Sequence, residues 1–478
     1  MDLIAVLPQI VTLPGAVAIL YFERDNPRSA VLWLFLMLIY APAGLLLYIF
    51  YGYSMRLSRP KLRKKERDDM FRLGAVSKQK QICDGTCSLK CGELAHYDNL
   101  VELLKSAGAE LTAGNEVTIM NSGKEKFRAL FKDIRNAEDH IHLEYYIIRR
   151  DKLGEKLIDL LCEKASEGVK VCLLTDGFGT VLKRSDIRRL KAAGAELASF
   201  FPSLLRHIPI FNARFNHRNH RKIAVIDGEI GYVGGYNIGD EYLGNGPFGR
   251  WRDTHLRIRG GAVHDLQVRF MLDWNFAART GLKVSKLYFP KSPEVDGSPV
   301  QIVSGGPDRK RNHIQEAYLK LVASAKQKVF LQTPYFIPNE SLLDALKSAA
   351  LSGVDVRIMI PEKIDHMFVH WANLSFLGEL IKYGVKAYIY KDGFLHAKTI
   401  VVDGEVASIG SANWDIRSMD LNFETNAVIY CKKTALQQEK AFLEDIKSCY
   451  QWTEEMYAER TYLLRLKSGI SRLFSPLL

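Results

Sequence analysis

Two kinds of hydrophobic pattern divide the chain. Near its start, Leu3 to Phe22 is a run of 20 residues without a charge, and Ala30 to Tyr53 is a second uncharged run. Each meets the roughly 20 residues that a helix needs to cross the hydrocarbon core of a bilayer. Residues 1–55 are therefore expected to form a transmembrane helical hairpin. Pro8 and Pro14 leave a kinked or re-entrant first segment open. A signal peptide is the competing reading of the first run, but a basic leading region is missing and a second apolar run follows directly.

From about residue 99 the pattern changes to short β-type runs alternating with amphipathic helices, and it does so twice. Val117–Gly123 is echoed by Val300–Gly306, the helical stretch 125–137 by 312–325, and the run His140–Ile148 by Val329–Ile337. Amphipathic stretches 154–168 and 339–353 follow, each closing on a glycine, and then the apolar strands 169–176 and 354–361. Strand–helix–strand order with short links predicts an α/β fold with parallel or mixed sheets. Two pseudo-symmetric halves result, 99–290 and 291–478. A pseudo-twofold axis would set the signature strands of the two halves edge to edge and form one active site at the interface.

The repeat is sharpest in one stretch. Asn216–Asn237 contains H-R-K-I-A-V-I-D-G, and His396–Asn413 contains H-A-K-T-I-V-V-D-G. The copies share His220/His396, Lys222/Lys398, Asp227/Asp403, Gly228/Gly404, Gly234/Gly410 and Asn237/Asn413, with the histidines 176 residues apart. Between His and Asp each copy is a run of β-formers, and Asp-Gly-Glu is a tight turn. Side chains alternate along a strand, so His and Lys two apart leave one face together. An imidazole beside an ammonium has little structural use, because buried charge is costly unless paired. It suits a phosphate site.

Charge changes the picture in two places. The chain carries a formal net charge of +12, which points to an anionic partner, nucleic acid or an anionic membrane. Arg56 to Arg67 holds seven basic residues and one acidic. Positive charge beside a span stays inside the cell and can hold anionic headgroups, which predicts a multi-pass protein of the cell membrane with a cytoplasmic catalytic region. Residues 56–98 then form a basic connector. It contains Cys83, Cys87 and Cys91, followed by His96. That spacing is unlike the C-x2-C pairs of zinc sites, so incidental thiols compete with a metal or cluster, and no metal is assigned. Nor do the seven cysteines resemble a secreted disulfide framework. At the far end, 462–478 alternates basic and apolar residues. It fits either a helix on an anionic membrane or one docked on the core.

Cleaving a phosphodiester near neutral pH takes a nucleophile, an acid for the leaving alkoxide, and cations around the phosphoryl oxygens. His220 and His396 supply the first two. Lys222 and Lys398 supply the third, with Asn237 and Asn413 as neutral donors and His217 and Arg218 as further headgroup contacts. No cofactor is needed. Asp227 and Asp403 join the catalytic set, although each ends a strand before Gly, so turn formation is an equal reading. A nucleophilic imidazole needs an acceptor for its second nitrogen. Asp253, 33 residues after His220, and Glu424, 28 after His396, are the candidates, with Glu424 as a partner for His396. Surface ion pairs are the competing role.

The doubled H-x-K-x4-D-x6-G-[GS]-x-N signature resembles the phospholipase D superfamily. Within it the chain is most similar to bacterial cardiolipin synthases, through the hairpin with its N-P-R loop, N-H-R-N-H-R-K, T-P-Y-F-I-P and R-S-x4-N-F-E. The resemblance implies two phospholipase D-like α/β/α domains sharing one site. It implies that two phosphatidylglycerols yield cardiolipin and glycerol through a phosphohistidine on His220, with His396 as the acid. Partners would be phosphatidylglycerol and anionic membrane lipids, with no nucleic acid; a homo-oligomer is compatible. A hydrolase, another phosphatidyltransferase and a membrane-tethered nuclease stay open.

Overall fold

The structure, a computed structural model, describes residues 3–24, 27–49, 94–180, 182–201, 217–278, 280–291, 296–309, 311–363, 365 and 367–473. The basic run 56–67 and Cys83, Cys87 and Cys91 lie outside these residues. The chain falls into two units, Met1–Asp68 with Ser203–His217, and Asp69–Pro202 with Arg218–Leu478.

In the first unit, the first apolar run is the helix Leu3–Phe22. The second run is not one helix but two, Pro27–Ile39 and Ala41–Leu47. Tyr40 between them is extended, and Pro42 sits in the first turn of the second piece, where its missing N–H is tolerated, whereas in a continuous helix it would lose a bond and clash with the preceding turn. Ile19, Ala30, Met37, Ala41 and Tyr48 form a small core, and the Tyr48 hydroxyl donates to buried Glu23 at 3.3 Å. Leu13, Val17, Phe35 and Leu38 are exposed. Among the described residues no helix is long and apolar enough to cross a membrane.

The second unit is built on a sheet whose two halves repeat one plan. The first half contributes β1 (Thr112–Met120), β2 (His140–Tyr145), β3 (Lys170–Asp176), β4 (Glu196–Phe200), β5 (Lys222–Ile226), β6 (Ile230–Gly234) and β7 (His255–Arg259). The second contributes β8 (Ser298–Gly305), β9 (Lys328–Gln332), β10 (Asp355–Pro361), β11 (Lys386–Tyr390), β12 (Thr399–Val402), β13 (Val406–Gly410) and β14 (Asn422–Tyr430). Their order is β4-β3-β2-β5-β6-β7-β1-β8-β14-β13-β12-β9-β10-β11, so each strand of the first half has its counterpart seven numbers later. The outer strands pair in parallel (β2–β3–β4 and β9–β10–β11) and the inner ones antiparallel.

The join differs from the expected one. The signature strands β5 and β12 do not meet edge to edge. The halves are sewn through β1 and β8, with Thr112 opposite Val300 and Asn115 opposite Ser298. The signature strands β5 and β12 are buried at every position, which is why their sequences are near-continuous apolar runs. In β5, Ala224 and Ile226 enter the core of the first half. Ile223 and Val225 enter a core shared with Ile302, Ile409 and Ile429 of the second half. A further correction concerns the boundary at residue 99. Leu100, Val101 and Leu104 pack in the core of the second half, and Gln301 donates to the carbonyls of Val101 and Ala109 at 3.1 and 2.8 Å.

The amphipathic stretches are helices. Lys152–Ser166 is capped by the Asp151 carboxylate and Glu340–Leu351 by the Asn339 amide oxygen. Gly168 and Gly353 close them at φ of +94° and +89°, where a side chain would be strained. The C-terminal helix Tyr462–Leu473 docks on Met367–Ile381: Arg472 bonds Glu379 and covers Phe376, and Lys467 lies over Trp371. Its Tyr462, Leu463, Leu466 and Leu473 remain exposed.

Candidate active site

The two histidines arrive on segments that are each stitched to the opposite half. Arg218–Asn219 pairs in parallel with the start of β14, and the His220 N–H donates to the Phe423 carbonyl at 3.0 Å. Symmetrically, Phe394–Leu395 pairs with Trp251–Arg252, and the His396 N–H donates to the Arg252 carbonyl at 2.7 Å. Each segment is therefore fixed beside the carboxylate of the other half.

The carboxylate pairing is crossed. His220 Nδ1 lies 2.9 and 3.0 Å from the two oxygens of Glu424, and His396 Nδ1 lies 2.6 Å from Asp253 Oδ2. Both carboxylates are 0% exposed, which excludes surface ion pairs. The expectation that Glu424 serves His396 is corrected: it serves His220. Glu424 is held by the Ser411 hydroxyl at 2.5 Å and the Asn422 amide at 3.2 Å, and Asp253 by the Thr254 N–H at 2.7 Å. With Nδ1 committed on both rings, Nε2 is the nitrogen left for a substrate.

Burial sets the electrostatics. It pushes the His220 imidazole down to about 4, against the pull of Glu424. His396 is also lowered by burial and by Lys398, with Asp253 opposing. Burial works against the Glu424 charge, yet His220 and Lys222 hold its carboxyl below the usual range. Lys222 and Lys398 are lowered by burial to about 7 and about 8. Each ammonium donates to the carbonyl of its own histidine, both at 2.5 Å, and Lys222 Nζ and the His220 ring both lie against the Tyr146 ring.

Other expected members sit elsewhere. Asp227 and Asp403 adopt φ of +53° and +54° in the turns at the far ends of their strands. The Asp227 carboxylate accepts from the N–H groups of Glu138, Asp139 and His140 at 2.8–2.9 Å. Asp403 does the same for Lys326, Gln327 and Lys328 at 2.8 Å. These bonds support the turn-forming role that the sequence offered as an equal reading. Asn237 and Asn413 border the cavity but hold its walls: Asn237 bonds Ile147 and Tyr242, and Asn413 bonds Asp415. Arg218 borders the cavity with its guanidinium 4.3 Å from the Phe178 ring centre. His217 is fully buried.

One cavity of about 800 Å³ receives both histidines. Its lining includes groups the sequence reading did not single out: Tyr146, whose ring is 5.1 Å from that of His220, Trp251, 5.2 Å from His396, and Tyr335, Asp365 and Arg417. Tyr335 and Arg417 lie inside T-P-Y-F-I-P and R-S-x4-N-F-E, and Trp251 two residues before Asp253, so their signal was position beside those residues. Among the described residues no group of three or more His, Cys, Asp or Glu could hold a metal ion. Two imidazoles on one cavity, each oriented by a buried carboxylate, with Lys222 and Lys398 close enough to act on both rings, can perform nucleophilic and acid–base displacement at a phosphoryl centre.

A family model described as "Cardiolipin synthase, PLD-like domain" matches residues 130–246 and 318–446. A cardiolipin synthase of Listeria monocytogenes serotype 4a (strain HCC23) is 45% identical over 473 residues, covering 97% of this chain and 96% of the relative. The major cardiolipin synthase ClsA of Bacillus subtilis (strain 168) is 44% identical over 469 residues, covering 97% and 96%. Among solved structures, phosphatidylserine synthase of Haemophilus influenzae Rd KW20 superposes with a TM-score of 0.60 at 16% identity, over 79% of this chain and 98% of that one. That likeness concerns the fold.

Proposed function

We propose that this chain, which belongs to the phospholipase D-like cardiolipin synthase family, transfers a phosphatidyl group from one phosphatidylglycerol to another, giving cardiolipin and glycerol. The observation that carries the reading is the pair of crossed His–carboxylate contacts opening on one cavity.

In the first displacement, His220 Nε2 attacks the phosphorus of the donor. The P–O bond to glycerol breaks, and His396 gives its proton to the leaving alkoxide. Burial favours the neutral imidazole a nucleophile needs, and Glu424 accepts the hydrogen bond of Nδ1–H and stabilises the positive ring that forms. Lys222 and Lys398, in their charged forms, face the two free phosphoryl oxygens. In the second displacement, a hydroxyl of the acceptor phosphatidylglycerol forms the new P–O bond. Its proton passes to His396, and the P–N bond to His220 breaks.

The substrates are membrane lipids, and several surfaces of this chain fit a bilayer. The helix Leu3–Phe22 and its neighbours expose apolar side chains. In the second unit, the outer face of Tyr462–Leu473 is apolar, with Lys467 and Arg465 beside it, the composition of a helix lying on an anionic surface. We place the protein in the cell membrane with the catalytic unit on the cytoplasmic side, as the basic run 56–67 implies.

The test is product analysis. Purified protein given labelled phosphatidylglycerol should release one glycerol per cardiolipin formed; phosphatidic acid as the sole lipid product would make the enzyme a hydrolase.

A further inference from the structure

We propose that Arg221 is a positioning residue for the His220–Glu424 pair, and that Asp273 and Glu144 hold it in place. The inference rests on the proposed role of His220 as the nucleophile and says what fixes its carboxylate partner across the two halves.

Arg221 stands between His220 and Lys222 in the chain and is 1% exposed. Its guanidinium crosses to the second half. There Nε donates to the backbone carbonyl of Glu424 at 3.2 Å and to the Thr425 hydroxyl at 3.0 Å, and Nη2 donates to the Gly305 carbonyl at 2.8 Å. Nη1 donates to Asp273 at 2.6 Å, on the helix Ala262–Ala277 of its own half. One planar fork, one residue from the imidazole, thus holds the residue whose carboxylate orients that imidazole. Losing it breaks all four contacts at once.

The repeat alone hides this role, because the second copy has Ala397 at the same place. Yet the contacts recur around the other carboxylate, with the arginine drawn from a different position. Arg252, beside Asp253, donates from Nη1 to the Asp253 carbonyl at 2.8 Å and to the Thr254 hydroxyl at 3.0 Å. Its Nε donates to Asp445 at 2.8 Å, on the helix Lys432–Ile446 of the second half. Asp273 and Asp445 are counterparts, 20 residues after Asp253 and 21 after Glu424. In both halves, then, a buried guanidinium joins the carbonyl of the orienting residue to an aspartate of the following helix. Two arginines from unrelated positions reach one arrangement, which marks the contact itself as the thing required.

The aspartates are braced alike, by different chemistry. Asp445 accepts from the Gln332 amide at 2.9 Å. Gln332 is the fifth residue of β9, and the fifth of β2 is Glu144. An amide always has a donor, whereas a carboxyl has one only when protonated. Burial and the Asp273 charge push the Glu144 carboxyl well above the usual carboxylate range, with Arg221 opposing, and the two carboxyls are hydrogen bonded to each other. The Asn219 amide donates to Glu144 Oε1 at 2.6 Å, and Oε2 has no other donor among the described residues. Glu144 therefore does as an acid what Gln332 does as an amide: it donates to the aspartate that holds the arginine. Asp273 keeps its own charge through Arg221 and through Arg269 at 2.7 Å.

The experiment reads the first displacement alone. A phosphatidyl ester of p-nitrophenol is mixed with full-length enzyme without a lipid acceptor, and the burst of p-nitrophenol is followed. Its amplitude counts competent sites and its rate reports attack by the nucleophile, whichever molecule later accepts the phosphatidyl group. Arg221→Lys keeps the charge but not the fork, and should slow the burst by tenfold or more at unchanged amplitude. Arg252→Lys, on the acid side, should keep the burst rate, because this leaving group needs no proton, and should instead slow glycerol release from phosphatidylglycerol. Glu144→Leu should slow the burst as Arg221→Lys does, and Glu144→Gln should restore it. An unchanged burst rate in Arg221→Lys, or a loss of amplitude without a change of rate, would overturn the inference. So would a Glu144→Gln burst as slow as that of Glu144→Leu, or equal slowing by Arg252→Lys. A slow burst in Arg252→Lys alone would instead refute His220 as the nucleophile, the parent reading.

Discussion

Removing one carboxylate charge at a time separates the two histidines. Glu424→Gln keeps the shape of a side chain whose oxygens sit 2.9 and 3.0 Å from His220 Nδ1, but removes its charge. As the P–N bond forms, His220 gains positive charge. At about 4 Å between charge centres and an effective dielectric of about 20, the lost attraction is about 4 kcal/mol. That corresponds to a rate loss of roughly a thousandfold. Asp253→Asn should cost a similar amount for phosphatidylglycerol, because Asp253 supports the protonated His396 at 2.6 Å. The two variants should part with a phosphatidyl ester of p-nitrophenol, whose leaving group needs no proton. Asp253→Asn should recover to within about tenfold of wild type on that ester, one acid's worth being bypassed. Glu424→Gln should stay down by about a thousandfold. The assay is release of p-nitrophenol against release of glycerol. The opposite pattern, with Glu424→Gln rescued and Asp253→Asn not, would mean that each carboxylate serves the histidine of its own half, and the crossed arrangement would be refuted.

Three further outcomes follow from the same geometry. His220→Ala and His396→Ala should each fall below about a tenth of wild-type turnover, with the double variant no worse, because the pair acts as a unit; additive losses would indicate two sites. Lys222 and Lys398 lose their charge as pH rises through about 7 and about 8. A bound phosphodiester raises both, so calorimetry near pH 8 in buffers of different ionisation heat should show proton uptake on binding, and kcat/KM should decline above that pH; proton release would reverse the assignment. Finally, an impermeant thiol reagent on intact cells should miss a cysteine placed within 56–67 and label one within 23–29; labelling at 56–67 would invert the topology.

The residues proposed to carry the reaction were legible because a buried strand writes its chemistry locally. His220 and Lys222 are two apart on an extended backbone, and the repeat at His396 and Lys398 marks them as functional. The helices 152–166 and 340–351 were legible for a similar reason, since Asp151, Asn339 and the closing glycines are local signals. What escaped was non-local. Glu424 is 204 residues from His220, and Asp253 is 143 from His396. Offset along the chain favours the partner in the same half, whereas the parallel pairing of 218–219 with 422–423 brings in the other one. The same limit hid the join through β1 and β8, and the packing of Leu100 and Leu104 into the second half. Asp227 and Asp403 are the reverse case. Each precedes a glycine in a tight turn, and the turn reading was the one the hydrogen bonds support.

If both halves build one site around a single nucleophile, the intermediate can be trapped on one residue. Phosphatidylglycerol is mixed with enzyme, the reaction is quenched, and peptides are mapped under conditions that preserve the P–N bond. One phosphatidyl adduct is expected, on His220, absent in His220→Ala and still formed from the p-nitrophenyl ester in His396→Ala. An adduct on His396, or on both histidines in equal amount, would contradict it.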